Sequence, residues 1–197
     1  RDRLQDDLTQ MQHLVEQGLA YARSAHTPQE LEVPTDLVAL LESLVADYQD
    51  AAQAVRWLGG PPCTLPLRPR TLRRALGNLV DNALKFAGEA DVTLALEGGQ
   101  AVIRVLDRGP GIPPDELDKV LQPFYRVEGS RNAATGGSGL GLAIVQRLLE
   151  HSGAALKLSL REGGGLVAAV TIGKRHCESH EPVQVVQPAD GGSGSPR

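Results

Sequence analysis

The sequence predicts an α+β fold, a β-sheet covered by about three helices and preceded by one long helix. Three observations point there. Apolar residues recur at three- and four-residue spacing in four separate stretches. Two pairs of alternating apolar–polar segments flank glycine turns, the mark of hairpins. Between these elements lie three polar, glycine-bearing islands that neither pattern explains.

The long helix is expected over residues 1–24. Leu4, Leu8, Met11, Val15, Leu19 and Ala22 form one stripe, and Arg, Asp, Gln and Glu occupy the other face. Such a stripe suits a helical bundle or a coiled-coil seam. Residues 25–35, with Pro28 and Pro34, read as a linker holding a strand candidate at 31–33. Thr35 or Asp36 can cap a helix over 37–53 whose apolar side includes Val38, Leu41, Leu44 and Val45. Strand candidates 54–58 and 64–67 are separated by a Gly59–Gly60–Pro61–Pro62 turn. Pro69 suits the first turn of a helix over 69–86, with Leu72, Leu76, Leu79, Val80 and Leu84 inward. Strands 92–96 and 102–106 follow, turned at Gly98 and Gly99. Residues 107–138 are rich in Gly, Pro and charge, with room for one short helix near 115–121. A helix over 140–151 stops at Gly153. Strands 155–160 and 166–172 close the folded part, turned at residues 163–165. Residues 174–197 lose periodicity and read as a flexible tail. The folded domain is thus expected over 36–173.

Composition narrows the function. Twenty basic residues against 24 acidic ones leave a net charge of −4, so no basic field exists to attract a phosphate backbone. Aromatics at 3% give no stacking platform for single-stranded nucleic acid. No nucleic-acid partner is expected. Cys63 and Cys177 lack metal-ligand spacing, and a reducing compartment is the natural reading. No apolar run reaches the ~18 residues of a membrane span, and no secretory signal is visible.

The islands carry the chemistry. In the first, NLVDNALKF, Asn78 and Asn82 share a helix face and Lys85 lies near it. Amides among leucines require partners. In the second, LDRGPGIPP, Asp107 ends a strand and can accept a hydrogen bond from an exocyclic amine. Gly109 and Gly111 let the backbone turn where a side chain would obstruct. In the third, TGGSGLGLAIVQRLLEHSG, glycines open a helix whose unpaired N–H groups suit an anion such as phosphate. A dinucleotide fingerprint, a Walker loop and the eukaryotic-type protein-kinase set are all absent.

Taken in order, N-x-x-x-N, D-x-G-x-G and G-x-G-x-G resemble the N, G1 and G2 boxes of sensor histidine kinases, within the GHKL ATPase superfamily. QPFYRVEGSRN resembles their F box. The likeness spans residues 36–173, and residues 1–24 resemble the second helix of the dimerisation and phosphotransfer hairpin. It implies a two-layer α/β sandwich, a mixed sheet covered on one face by about three helices. It also implies ATP and Mg²⁺ as cofactors. Asn82 would be a magnesium ligand, helped by Asn78, and Lys85 would neutralise phosphate. Asp107 would read the adenine amino group, with Gly109, Gly111 and Ile112 shaping the adenine pocket. Gly137, Ser138, Gly139, Leu140 and Gly141 would wrap the triphosphate. Residues 112–136 would form the ATP lid, anchored by Phe124 and Tyr125, with Arg126 and Arg131 reaching phosphates. Arg108 stands where the family often has Asn, and is expected to point away from the adenine carboxylate.

Within the superfamily, ATP hydrolases carry a glutamate four residues before the magnesium asparagine, as general base for water. Here that residue is Asn78, and an amide takes no proton near neutral pH. Transfer to histidine is therefore favoured over an ATPase or a serine kinase, and the complete N, G1, F and G2 set disfavours a module that only binds nucleotide. His13, His26, His151, His176 and His180 do not match the family's acceptor pattern. The chain is thus expected to lack its acceptor histidine and to dimerise weakly at most. Expected partners are a response-regulator receiver domain and a second protomer through the hairpin. The expected location is cytoplasmic, beneath an inner-membrane sensor supplied by the rest of the parent.

Overall fold

Asp36 starts the first helix by lending it a carboxylate. In the computed structural model, which describes residues 18–19, 30–127 and 138–173, its Oδ1 accepts from the amides of Val38 (2.9 Å) and Ala39 (3.2 Å). This satisfies donors that a helix N-terminus leaves orphaned. Gly18 and Leu19 are helical; the rest of the expected N-terminal helix and the expected tail lie outside the described residues.

The helix so capped, α1 (Leu37–Asp50), follows strand β1 (Val33–Asp36). The strand sits two residues later than the sequence suggests, because Val33 to Asp36 pair antiparallel with Leu67 to Thr64 of β3 (Thr64–Leu67). Leu31 is left exposed. Helix α1 ends three residues early: Ala52 takes a left-handed φ of 56°, and the chain turns into β2 (Ala54–Trp57).

The next helix, α2 (Pro69–Ala87), has Pro at its first turn and Gly88 at φ 74° beyond its end, as the missing N–H of proline and the missing Cβ of glycine favour. Its N-cap residue, Arg68, makes no side-chain cap. Glu30 does so from a distance, accepting from the amides of Arg70 (2.8 Å) and Thr71 (2.9 Å) and from the Thr71 hydroxyl (2.8 Å). Residues 30–35, expected as linker, are thus fastened to the folded unit.

Strands β4 (Glu89–Glu97) and β5 (Gln100–Leu106) form the expected hairpin, turned at Gly98 and Gly99, both at positive φ. Near 115–121 the chain forms two 3₁₀ turns, Pro114–Glu116 and Lys119–Leu121, instead of one α-helix. Helix α3 (Gly141–His151), β6 (Ala154–Leu160) and β7 (Leu166–Ile172) complete the order.

The main sheet runs β2-β4-β5-β7-β6; β2–β4 is parallel and the other pairs are antiparallel. Strand alternation then decides the layers. Val92, Leu94, Ile103, Val105, Ala168 and Val170 join the apolar stripes of α1, α2 and α3 in one core. On the opposite face, Thr93, Arg104, Ala169 and Lys157 lie in one row across four strands. This is the expected mixed sheet with helices on one face. Cys63 is buried; Cys177 lies outside the described residues. No described helix is long and apolar enough to cross a membrane.

Candidate functional site

The three islands meet. Asn78, Asn82 and Lys85 on α2, Asp107, Gly111 and Ile112 after β5, and Ser138, Gly139 and Gly141 before α3 line one cleft of about 830 Å³. That volume suits a small-molecule ligand. Leu79, Val105, Val120, Leu166 and Ala168 give it an apolar wall.

Helix periodicity puts the two asparagines on the cleft side of α2. The Asn78 amide donates to the Arg74 carbonyl one turn back (3.1 Å). A Cβ on Gly141 would stand 3.4 Å from both Oδ1 and Nδ2 of Asn82, so the asparagine lies against the first residue of α3. Among the described residues no cluster of three His, Cys, Asp or Glu side chains could cage a metal ion. Asp81, beside them, accepts from the Tyr48 hydroxyl (2.6 Å). Burial first, and then that carboxylate, push the Tyr48 phenol well above its usual value, so it stays a donor.

Asp107 is 9% exposed. Its Oδ1 accepts from the Gly109 amide (2.8 Å) and the Leu166 amide (3.1 Å), and its own amide donates to the Leu166 carbonyl (3.0 Å). Gly109 does not line the cleft. A Cβ there would lie 3.2 Å from both Asp107 Oδ1 and the Phe86 carbonyl, so it is bare to let its amide reach the carboxylate. Gly111, at φ 72°, does line it.

Lys85 and Arg126 bring positive charge into the cleft. Burial, and after it the charge of Arg126, lower the Lys85 pKa from the usual lysine value. Both effects penalise a bare cation, and a polyanion between the two would relieve them.

The lid residues divide differently from expectation. Tyr125 lines the cleft and packs on the core. Phe124 is 65% exposed, at a left-handed φ of 65°, and holds the loop through its backbone, its amide donating to the Gly139 carbonyl (3.0 Å). Among the described residues, the contact it gives the loop is made by its backbone while its ring is exposed. Leu140 is fully buried in the core and does not line the cleft, and the Ser138 hydroxyl accepts from its amide (3.2 Å). Arg131 and Gly137 lie outside the described residues. Arg108 faces Glu89 (3.8 Å), away from the Asp107 carboxylate as expected.

Sequence reasoning missed Arg161 and Gly165, which brace Asp107 from the β6–β7 hairpin. Arg161 donates to the Asp107 carbonyl (3.2 Å). Gly165, at φ 103°, packs so close that a Cβ would overlap the same oxygen. Three consecutive glycines where a hairpin needs fewer was the available signal.

The chain is similar to known proteins in sequence and in fold. The family described as "Histidine kinase-, DNA gyrase B-, and HSP90-like ATPase" matches residues 68–176. The sensor protein RstB of Escherichia coli is 35% identical over 169 residues, 82% of this chain and 39% of RstB. The signal transduction histidine-protein kinase BaeS of the same organism is 33% identical over 172 residues, 82% of this chain and 34% of BaeS. The chain therefore spans between a third and two fifths of these relatives. Among solved structures, the histidine kinase domain of the E. coli osmosensor EnvZ superposes with a TM-score of 0.58 at 27% identity, covering 86% of this chain and 99% of that one. Full-length ShkA in complex with AMPPNP gives 0.64 at 29%, covering 80% and 34%.

Proposed function

Since the chain belongs to the histidine kinase-, DNA gyrase B- and HSP90-like ATPases, and within them to the ATP-binding domains of sensor histidine kinases, we propose that it transfers the γ-phosphoryl group of Mg-ATP to a histidine supplied by another segment or chain. From there the group passes to an aspartate of a response regulator. The observation that carries this reading is the convergence of two amides, a buried carboxylate and a glycine-opened helix on one cleft.

Each residue has work suited to its chemistry. Asp107, held by two amides through Oδ1, accepts from the exocyclic amine of adenine. The apolar wall takes the ring. Lys85 and Arg126 neutralise phosphate oxygens, and the first N–H groups of α3 add the positive end of its dipole. In phosphoryl transfer the protein mainly positions groups and stabilises charge.

Magnesium fits the donor set. It takes oxygen ligands, keeps several waters and bridges phosphates, so one or two amide oxygens suffice on the protein side. Asn82, on α2 and packed against the first residue of α3, would hold it with help from Asn78, and the ion would supply charge neutralisation at the phosphates. With an amide at position 78, no side chain there takes a proton from water. That favours transfer over hydrolysis.

The test is calorimetric titration with Mg-ATP, followed by phosphorylation of a separately added acceptor hairpin with γ-labelled ATP. Binding and transfer are expected in the wild type. Asn82→Ala should remove the magnesium dependence, and Asp107→Asn should weaken ATP by about tenfold or more, near 1.4 kcal/mol. Binding without transfer would make the chain a nucleotide-binding module and overturn the kinase reading.

A further inference from the structure

We propose that Arg161 and Asp91 are positioning residues for Asp107, and through it set which nucleobase the cleft accepts. The inference rests on the reading of Asp107 as the group that meets adenine.

Asp91 sits on β4 with its side chain 5% exposed, on the sheet face away from the helices. Two guanidinium groups hold its carboxylate. Arg56 donates from Nε to Oδ1 (2.8 Å), and Arg161 donates from Nη2 to Oδ2 (3.2 Å). The second nitrogen of Arg161, Nη1, donates to the Asp107 carbonyl (3.2 Å). Arg161 is thus a fork, one tine on a buried anion and the other on the backbone of the base-reading residue.

The hairpin closes on that backbone from the same side. The Arg161 amide donates to the Gly165 carbonyl (3.0 Å), and Gly165 packs against the Asp107 carbonyl oxygen. The following residue, Leu166, donates to Oδ1 of Asp107 (3.1 Å). Asp91 therefore fixes Arg161, and Arg161 with the hairpin fixes both ends of Asp107.

Placement matters because the bases differ at the atom Asp107 would meet. Adenine offers an amine donor there, and guanine offers a carbonyl oxygen, which a carboxylate repels. A hydrogen bond weakens steeply with misalignment, and a site built to pair one polar group rejects the analogue lacking it. Loosening the carboxylate erodes that discrimination before it erodes phosphate binding.

Affinities for ATP, GTP and inorganic triphosphate should be measured by competition on the whole chain, in wild type, Arg161→Lys, Arg161→Met and Asp107→Asn. Lysine keeps a positive charge for Asp91 but has no fork to span both partners. Both Arg161 variants are expected to narrow the ATP-to-GTP preference by about tenfold and leave triphosphate binding unchanged. If methionine prevents folding, lysine carries the test. A preference within about twofold of wild type in the folded variants overturns the proposal, whatever happens to stability. So does an equal loss for triphosphate and ATP, which would mark general collapse of the cleft. If Asp107→Asn leaves the preference unchanged, the adenine-reading role itself fails and this inference falls with it.

Discussion

A methyl group on Gly139 would lie 2.7 Å from the Tyr125 carbonyl oxygen and 2.8 Å from the Phe124 carbonyl carbon, on a backbone at φ 71°. Both crowding atoms are backbone, so no rotamer change relieves the contact. Gly139→Ala is expected to destabilise by roughly 1–3 kcal/mol and to weaken ATP by at least about tenfold, measured by urea unfolding and calorimetry. Asp91 gives a residue-scale dependence on pH. Burial alone would raise its pKa, but hydrogen bonds and charge from Arg56 and Arg161 outweigh burial and hold it below the usual aspartate value. The unfolded chain then binds its proton more readily. The stabilisation is complete above the unfolded value, about pH 3.9, and is lost as pH falls through the lower folded value. Asp91→Asn should flatten the acid side of the stability profile below about pH 4. A melting-temperature series in wild type and variant checks this.

Helix α2 is the element on which the site depends, and its two ends are held by different means. Gly88 closes the C-terminus in a left-handed conformation. The N-terminus has no local side-chain cap and relies on Glu30, some forty residues earlier. Glu30→Ala should cost about 1 kcal/mol, as loss of an N-cap does. It should appear as a lower urea midpoint with an unchanged slope, whereas Glu30→Gln should retain part of the cap. Arg68, at the same end of α2, donates to the His151 carbonyl (2.6 Å) at the end of α3, so the two helices that supply amides and glycines are tied together. The face that α2 shows the cleft was legible from i, i+4 spacing alone. Its distant cap was not, because nothing local marks which carboxylate will arrive.

Across the molecule one aliphatic core joins the sheet to α1, α2 and α3. Ile103 sits at its centre, fully buried and paired between Leu94 and Val170. Ile103→Ala should cost about 2–5 kcal/mol. Because a single core spans every layer, the loss should appear as one shifted cooperative transition. Circular dichroism and Trp57 fluorescence through a urea titration should give the same midpoint. Two separate transitions would show that the layers melt apart.

Local sequence was enough for α1, α2, α3, the two hairpins and the three islands, since periodicity, glycine turns and capping carboxylates act over a few residues. The islands it marks carry Asn78, Asn82, Lys85, Asp107 and Gly139, which line one cleft. Packing of the whole chain was needed to pair β2 parallel with β4 and to turn β3 back to β1. It alone set Tyr125 inward with Phe124 outward, sank Leu140 in the core, and brought Arg161 across 54 positions to brace Asp107. Those choices depend on burying every apolar face at once and on pairing buried charges between remote strands. No short window of residues contains that information.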